Sequence, residues 1–100
     1  MDNNEQNNNI VPIGMKDISR YTAACLFSLS KESEIKIIAR GNNTKKAIDV
    51  LAIMIREYLD KAKYSVVVDS EVFEETPGHT RNVSTIEITL SGKIKIIENK

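Results

Sequence analysis

The chain has 100 residues, 41% of them hydrophobic, with 14 basic and 14 acidic side chains and a net charge of zero. That length holds one core and not two, and the balance of apolar and charged residues excludes a disordered polyelectrolyte. One cysteine, Cys25, excludes an intrachain disulfide and a cysteine metal cluster, and no apolar run reaches the roughly 18–20 residues of a membrane helix.

Residues 1–9 are almost wholly Asp, Asn, Glu and Gln and predict a flexible tail with no apolar surface to bury; the tract has neither the charged start nor the apolar middle of a signal peptide. Ile10-Val11-Pro12-Ile13 reads as a first strand, kept to an edge or to irregular pairing by Pro12 and stopped by Gly14. Asp17 is placed to cap a first helix, on which Ile18, Tyr21, Thr22, Cys25, Leu26 and Leu29 recur at helical spacing. Ile35, Ile37 and Ala39 then alternate with Lys36, Ile38 and Arg40 as a second strand ending at Gly41.

A second helix, capped by Asn43 or Thr44, is predicted to run to about Asp60. Ala47, Ile48, Leu51, Ala52, Ile55 and Leu59 form one apolar arc, which Val50, Met54 and Tyr58 widen to roughly 200°, twice the stripe of an ordinary surface helix. So wide an arc needs a second covering surface, within the domain or in another subunit, and Val50, Met54 and Tyr58 are the residues expected at a subunit contact. Tyr64 to Phe73 and Val83 to Leu90 predict two further strands, joined through a Thr76-Pro77-Gly78 turn into an antiparallel hairpin. Lys93 to Ile97 alternates briefly, as a short edge strand or a fraying tail. The order β-α-β-α-β-β predicts an α/β or α+β sandwich, a four-stranded sheet with two helices on one face.

From Lys36 to Lys46 the chain carries Lys36, Arg40, Lys45 and Lys46 and no acid, while Asp69, Glu71, Glu74 and Glu75 gather in the hairpin, so a neutral molecule is polarised. Gly41-Asn42-Asn43-Thr44 before a helix fits either an anion site or a plain glycine turn with an ordinary cap. The flanking Arg40, Lys45 and Lys46 favour phosphate contact. Lys16, after the glycine turn of the first strand, is placed for a second phosphate or is a solvated loop residue. Arg81, near the hairpin tip, either meets a sugar-phosphate backbone or minor groove or simply stands in solvent. The five aromatic residues are scattered and build no stacking platform, so binding through backbone charge and duplex shape is expected, without base-specific reading. His79 is the sole histidine, and neither paired carboxylates nor a phosphate-loop motif are present, so no enzyme, metal or cofactor is expected.

Val11-Pro12-Ile13-Gly14-Met15-Lys16, Ile35 to Gly41, Lys46-Ala47-Ile48-Asp49 and Asn82 to Ile88 together resemble the Alba family of chromatin and RNA-binding proteins, over about residues 10–90. The resemblance implies a homodimer formed through the second helix and last strands. It implies DNA or RNA bound by the loop after the first strand, the turn before the second helix and the hairpin arms. Lys16, Arg40, Asn42 and Lys46 fall on positions that the family uses for binding, and Tyr58 on one implicated in contacts between neighbouring dimers. Met15 stands where relatives often carry a lysine, which removes a target of acetylation, and Asn42 where arginine is common. A chromatin or RNA-regulatory role in nucleus or cytoplasm follows as the expectation. The alternative is an RNA-processing subunit that works chiefly as a protein-interaction module, paired with a paralogue as a heterodimer.

Overall fold

The computed structural model describes residues 9–95. Most of the expected tail, residues 1–8, lies outside them, as do residues 96–100. Asn9 already belongs to the domain, since its carbonyl accepts the Lys36 amide at 2.7 Å.

The elements are β1 (Ile10–Pro12), α1 (Ile18–Leu29), β2 (Glu34–Arg40), a 3-10 turn (Gly41–Asn43), α2 (Thr44–Ile53), one widened π-type turn (Met54–Tyr58), β3 (Leu59–Thr76) and β4 (His79–Ile94). They form an α+β domain whose mixed sheet has the order β1-β2-β4-β3; β1 and β2 are parallel, and the other neighbours antiparallel. Strand alternation sends Ile35, Ile37 and Ala39 of β2 and Ile86, Ile88 and Leu90 of β4 to one face, each directly opposite a partner in the register. Both helices pack on that face. α1 contributes Tyr21 and Cys25, and α2 contributes Ala47, Val50 and Leu51, to a single core that also takes in Met54. Full burial of an Ile, Leu, Val or Met side chain contributes about 1.5–3 kcal/mol, so this layer is the main source of stability. The same burial pushes the Cys25 thiol up to about 12.

Several boundaries differ from the sequence expectation. The second helix closes at Tyr58, not Asp60: the π-type turn ends it, and Leu59 continues the apolar pattern as the first, buried residue of β3. Asp17 makes no side-chain cap; its carbonyl accepts the Arg20 amide instead. Asn43 does not cap by its side chain either, and the Thr44 hydroxyl donates to the Gly41 carbonyl at 3.0 Å rather than accepting from the helix. Ser91 to Ile94 are no separate edge strand or tail but the end of β4, paired with the start of β3 across a bulge at Asp60–Lys63. Lys61 in that bulge has φ 55°, a left-handed conformation that costs a non-glycine residue about 1 kcal/mol.

The hairpin is longer than its side chains suggest. β2 accompanies β4 only as far as the Arg40–Thr85 pair, whereas β3 and β4 continue to pair beyond Ser70–Ser84 to Thr76 and His79. A two-stranded arm therefore leaves the body, exposed on both faces, and the described chain extends 64 Å along its longest axis against 36 and 23 Å along the others.

Candidate nucleic-acid interface

Strand polarity assembles the site. Because β1 and β2 run parallel, the loop after each leaves the same end of the sheet; because β4 runs antiparallel to β2, the arm leaves that end too. The Gly14–Asp17 loop, the Gly41–Asn43 turn and the root of the arm are thereby neighbours, although they lie far apart in sequence.

The Gly41 turn needs a residue at φ 58°, which glycine adopts without steric cost, so β2 can stop and the chain can reverse within three residues into α2. Asn42 is exposed on this turn and borders a shallow groove with Arg81, Asn82 and Ser84 of the arm. Asn43 turns towards the opposite side and, with Arg40, borders a concavity on the face of the sheet that no helix covers. That concavity also takes in Asp69, Glu71 and Glu87, three carboxylates against one guanidinium, a poor setting for phosphate.

Most of the expected cations already have partners. Arg40 donates to Glu71 at 2.9 Å and lies 5.1 Å from the centre of the Phe73 ring. Arg81 pairs with Glu75 at 2.9 Å, and Lys45 with Asp49 one helical turn on at 2.9 Å. All three pairs are open to water and are worth at most about 1 kcal/mol each, so a phosphate can compete for the cation. Lys46 is held differently, by the Gly14 and Lys16 backbone carbonyls at 2.9 and 2.8 Å. Lys16 is exposed and enters none of the ion pairs among the described residues.

The three residues expected at a subunit contact separate. Val50 and Met54 have no accessible surface and belong to the chain's own core, so they are not available to another subunit; Tyr58 keeps 39% of its surface. The arc is wide because its two sides face different things. Ala47, Val50, Leu51 and Met54 meet the sheet, while Ile48, Ala52 and Tyr58 stay exposed. On the same side of the sheet Tyr64, Val66 and Val68, in register with Leu90, Ile88 and Ile86, are uncovered as well. Sequence reasoning missed these β3 residues as part of an apolar surface, and it missed Tyr21, Glu71 and Phe73 as partners of the basic groups.

The family model described as Alba matches residues 9–70, well over half of the chain. The chain belongs to the Alba family. A DNA/RNA-binding protein Alba of Nitrosopumilus maritimus is 39% identical over 79 residues, which cover 76% of this chain and 82% of that one. The Alba protein of Thermoplasma volcanium is 36% identical over 85 residues, 83% of this chain and 94% of the relative. The solved structure of Alba from Thermoplasma volcanium matches with a TM-score of 0.72 at 35% identity, over 83% of this chain and 99% of that chain. The crystal structure of ALBA1 from Trypanosoma brucei, at 16% identity, shares the fold with a TM-score of 0.70. The Alba match takes in β1 to the middle of β3, and hence the loop, the turn and both helices described above.

Proposed function

We propose that this protein is a dimeric, sequence-non-specific nucleic-acid-binding protein, without catalytic activity, that grips the phosphate backbone of DNA and RNA with the loop-and-arm end of its sheet. The observation that carries this reading is the convergence, by strand polarity, of Lys16, the Gly41–Asn43 turn and Arg81 at one end of the molecule. The names of the relatives, DNA/RNA-binding protein Alba, support the same class of ligand. Lys16 supplies an exposed cation, and Arg40, Lys45 and Arg81 exchange carboxylates for phosphates on binding. Asn42 adds neutral hydrogen bonds, and the arm follows a groove. The exposed strip of Ile48, Ala52, Tyr58, Tyr64, Val66 and Val68 is the face on which two copies join, and a dimer carries two such basic ends. Coating of chromatin, of RNA or of both, in nucleus or cytoplasm, fits a ligand recognised by charge and shape.

The test is a titration of labelled duplex DNA and of matched RNA across a salt series, beside a Lys16→Glu/Arg40→Glu/Arg81→Glu variant of confirmed fold. Binding that weakens steeply with salt and is lost in the variant is expected, since each neutralised phosphate adds about 0.9 to the slope of log affinity against log salt. Failure to bind at low salt would leave the second reading, a module whose apolar strip receives a paralogous subunit in an RNA-processing complex.

A further inference from the structure

Gly14, Met15 and Lys16 form the tip of the loop between β1 and α1, and two side chains from different helices hold it. The Tyr21 hydroxyl oxygen, on α1, accepts the amides of Gly14 at 2.8 Å and of Lys16 at 3.0 Å. The Lys46 ammonium, on α2, donates to the carbonyls of the same two residues at 2.9 and 2.8 Å and lies 5.8 Å from the centre of the Tyr21 ring. Both backbone groups of Gly14 and both of Lys16 are therefore occupied. A Cβ at position 14 would stand 3.3 Å from the Tyr21 oxygen, so a larger residue there would crowd the hydroxyl. Met15, bracketed by the four bonds, projects with 92% of its surface exposed.

We infer that Lys46 and Tyr21 are positioning residues that act through the loop, fixing the backbone from which Lys16 and Met15 meet the polymer, and that Lys46 is not itself a principal phosphate ligand. Two of the three ammonium hydrogens are committed to carbonyls, and a phosphate taking them would release the loop. A loop ordered beforehand loses less conformational entropy on binding, which raises affinity without adding a contact to the ligand. The inference rests on the function proposed above, and it reassigns within that site a lysine expected from the resemblance to contact phosphate.

The experiment is a double-mutant cycle on the full chain, with labelled duplex at fixed low salt and hydrogen exchange of the Gly14 and Lys16 amides read in parallel. Tyr21→Phe leaves every charge in place, and Lys46→Gln removes one. If the two act through the loop, both weaken binding by a similar factor, about five- to tenfold, the scale of one or two lost hydrogen bonds. Both also lose the protection of the two amides, and neither weakens binding further in a Lys16→Ala/Met15→Ala background. Undiminished binding by Tyr21→Phe, together with a Lys46→Gln effect that persists in that background, would show Lys46 to be a direct ligand and overturn the inference. Lys46→Gln alters a side chain outside the core, so its cycle remains decisive if Tyr21→Phe fails to fold. Absence of binding by the parent protein would overturn both this role and the proposed function, whereas binding with additive effects overturns this role alone.

Discussion

Arg40, the last residue of β2, donates a hydrogen bond to Glu71 at 2.9 Å and so ties the end of the four-stranded body to the root of the arm. On the function proposed above, Glu71 competes with phosphate for the guanidinium, so the arm carries its own competitor. Glu71→Gln is expected to tighten duplex binding about three- to fivefold at low salt and to steepen its salt dependence, because an exposed pair of this kind is worth only about 1 kcal/mol to the fold. Fluorescence anisotropy across a salt series checks this, and weaker binding by the variant would mean that the pair orients the arm productively.

Met15 is the most exposed large apolar residue of the described chain, at 92%, and it neighbours Lys16. Met15→Lys adds a cation on a loop whose backbone is already held, so the slope of log affinity against log salt is expected to grow by about 0.9 for each subunit in contact with DNA. An unchanged slope would place this loop away from the polymer.

Val68 and Met54 face opposite demands. Val68 is 70% exposed on the uncovered strip, and Met54 has no exposed surface at all. Val68→Lys is expected to shift the protein towards a monomer in sedimentation velocity while retaining its secondary structure. Met54→Ala is expected to lower stability by about 2–5 kcal/mol through the cavity it leaves, read as a fall in Tm. A Val68→Lys variant that sediments as the parent does would remove this strip as the proposed subunit contact.

Cys25 is fully buried on α1, and burial raises its thiol from 9.0 to about 12. In the folded protein the thiol stays protonated and closed to reagents, so aromatic disulfides at pH 8 are expected to label it only as fast as the protein unfolds. The unfolded chain loses this proton near pH 9 while the folded chain keeps it. The contribution of Cys25 therefore lowers stability by about 1.4 kcal/mol per pH unit between those two values and is flat below them. Urea titrations of the parent and of Cys25→Ala at pH 8 and pH 10.5 separate this effect, and an equal pH dependence in both would refute it.

The element order was legible because periodicity reports burial on one side. Ile35, Ile37, Ala39, Ile86, Ile88 and Leu90 alternate in sequence and lie together in the core. The end of the second helix was not legible, since Leu59 is apolar at a helical position and is buried equally well as the first residue of a strand. The outer half of the hairpin carries no alternation because neither of its faces is covered, and only its backbone pairing defines it. The width of the apolar arc on the second helix showed that two surfaces meet it, but not that Val50 and Met54 belong to the inner one. The cations of the site could be named from sequence, whereas their partners could not: Glu71 lies 31 positions from Arg40, and Gly14 lies 32 from Lys46.

Beyond Phe73 and Arg81 no hydrogen bond or ion pair among the described residues joins the arm to the body, and its Pro77-Gly78 turn is tied within the arm itself, the Gly78 amide donating to the Glu74 carboxylate at 3.1 Å. Residues added or removed in opposed pairs near that turn would change how far the molecule reaches while leaving the buried layer as it is. Reach and stability are thus separate variables in this chain, and a lineage could adjust one by small insertions without being charged for it in the other.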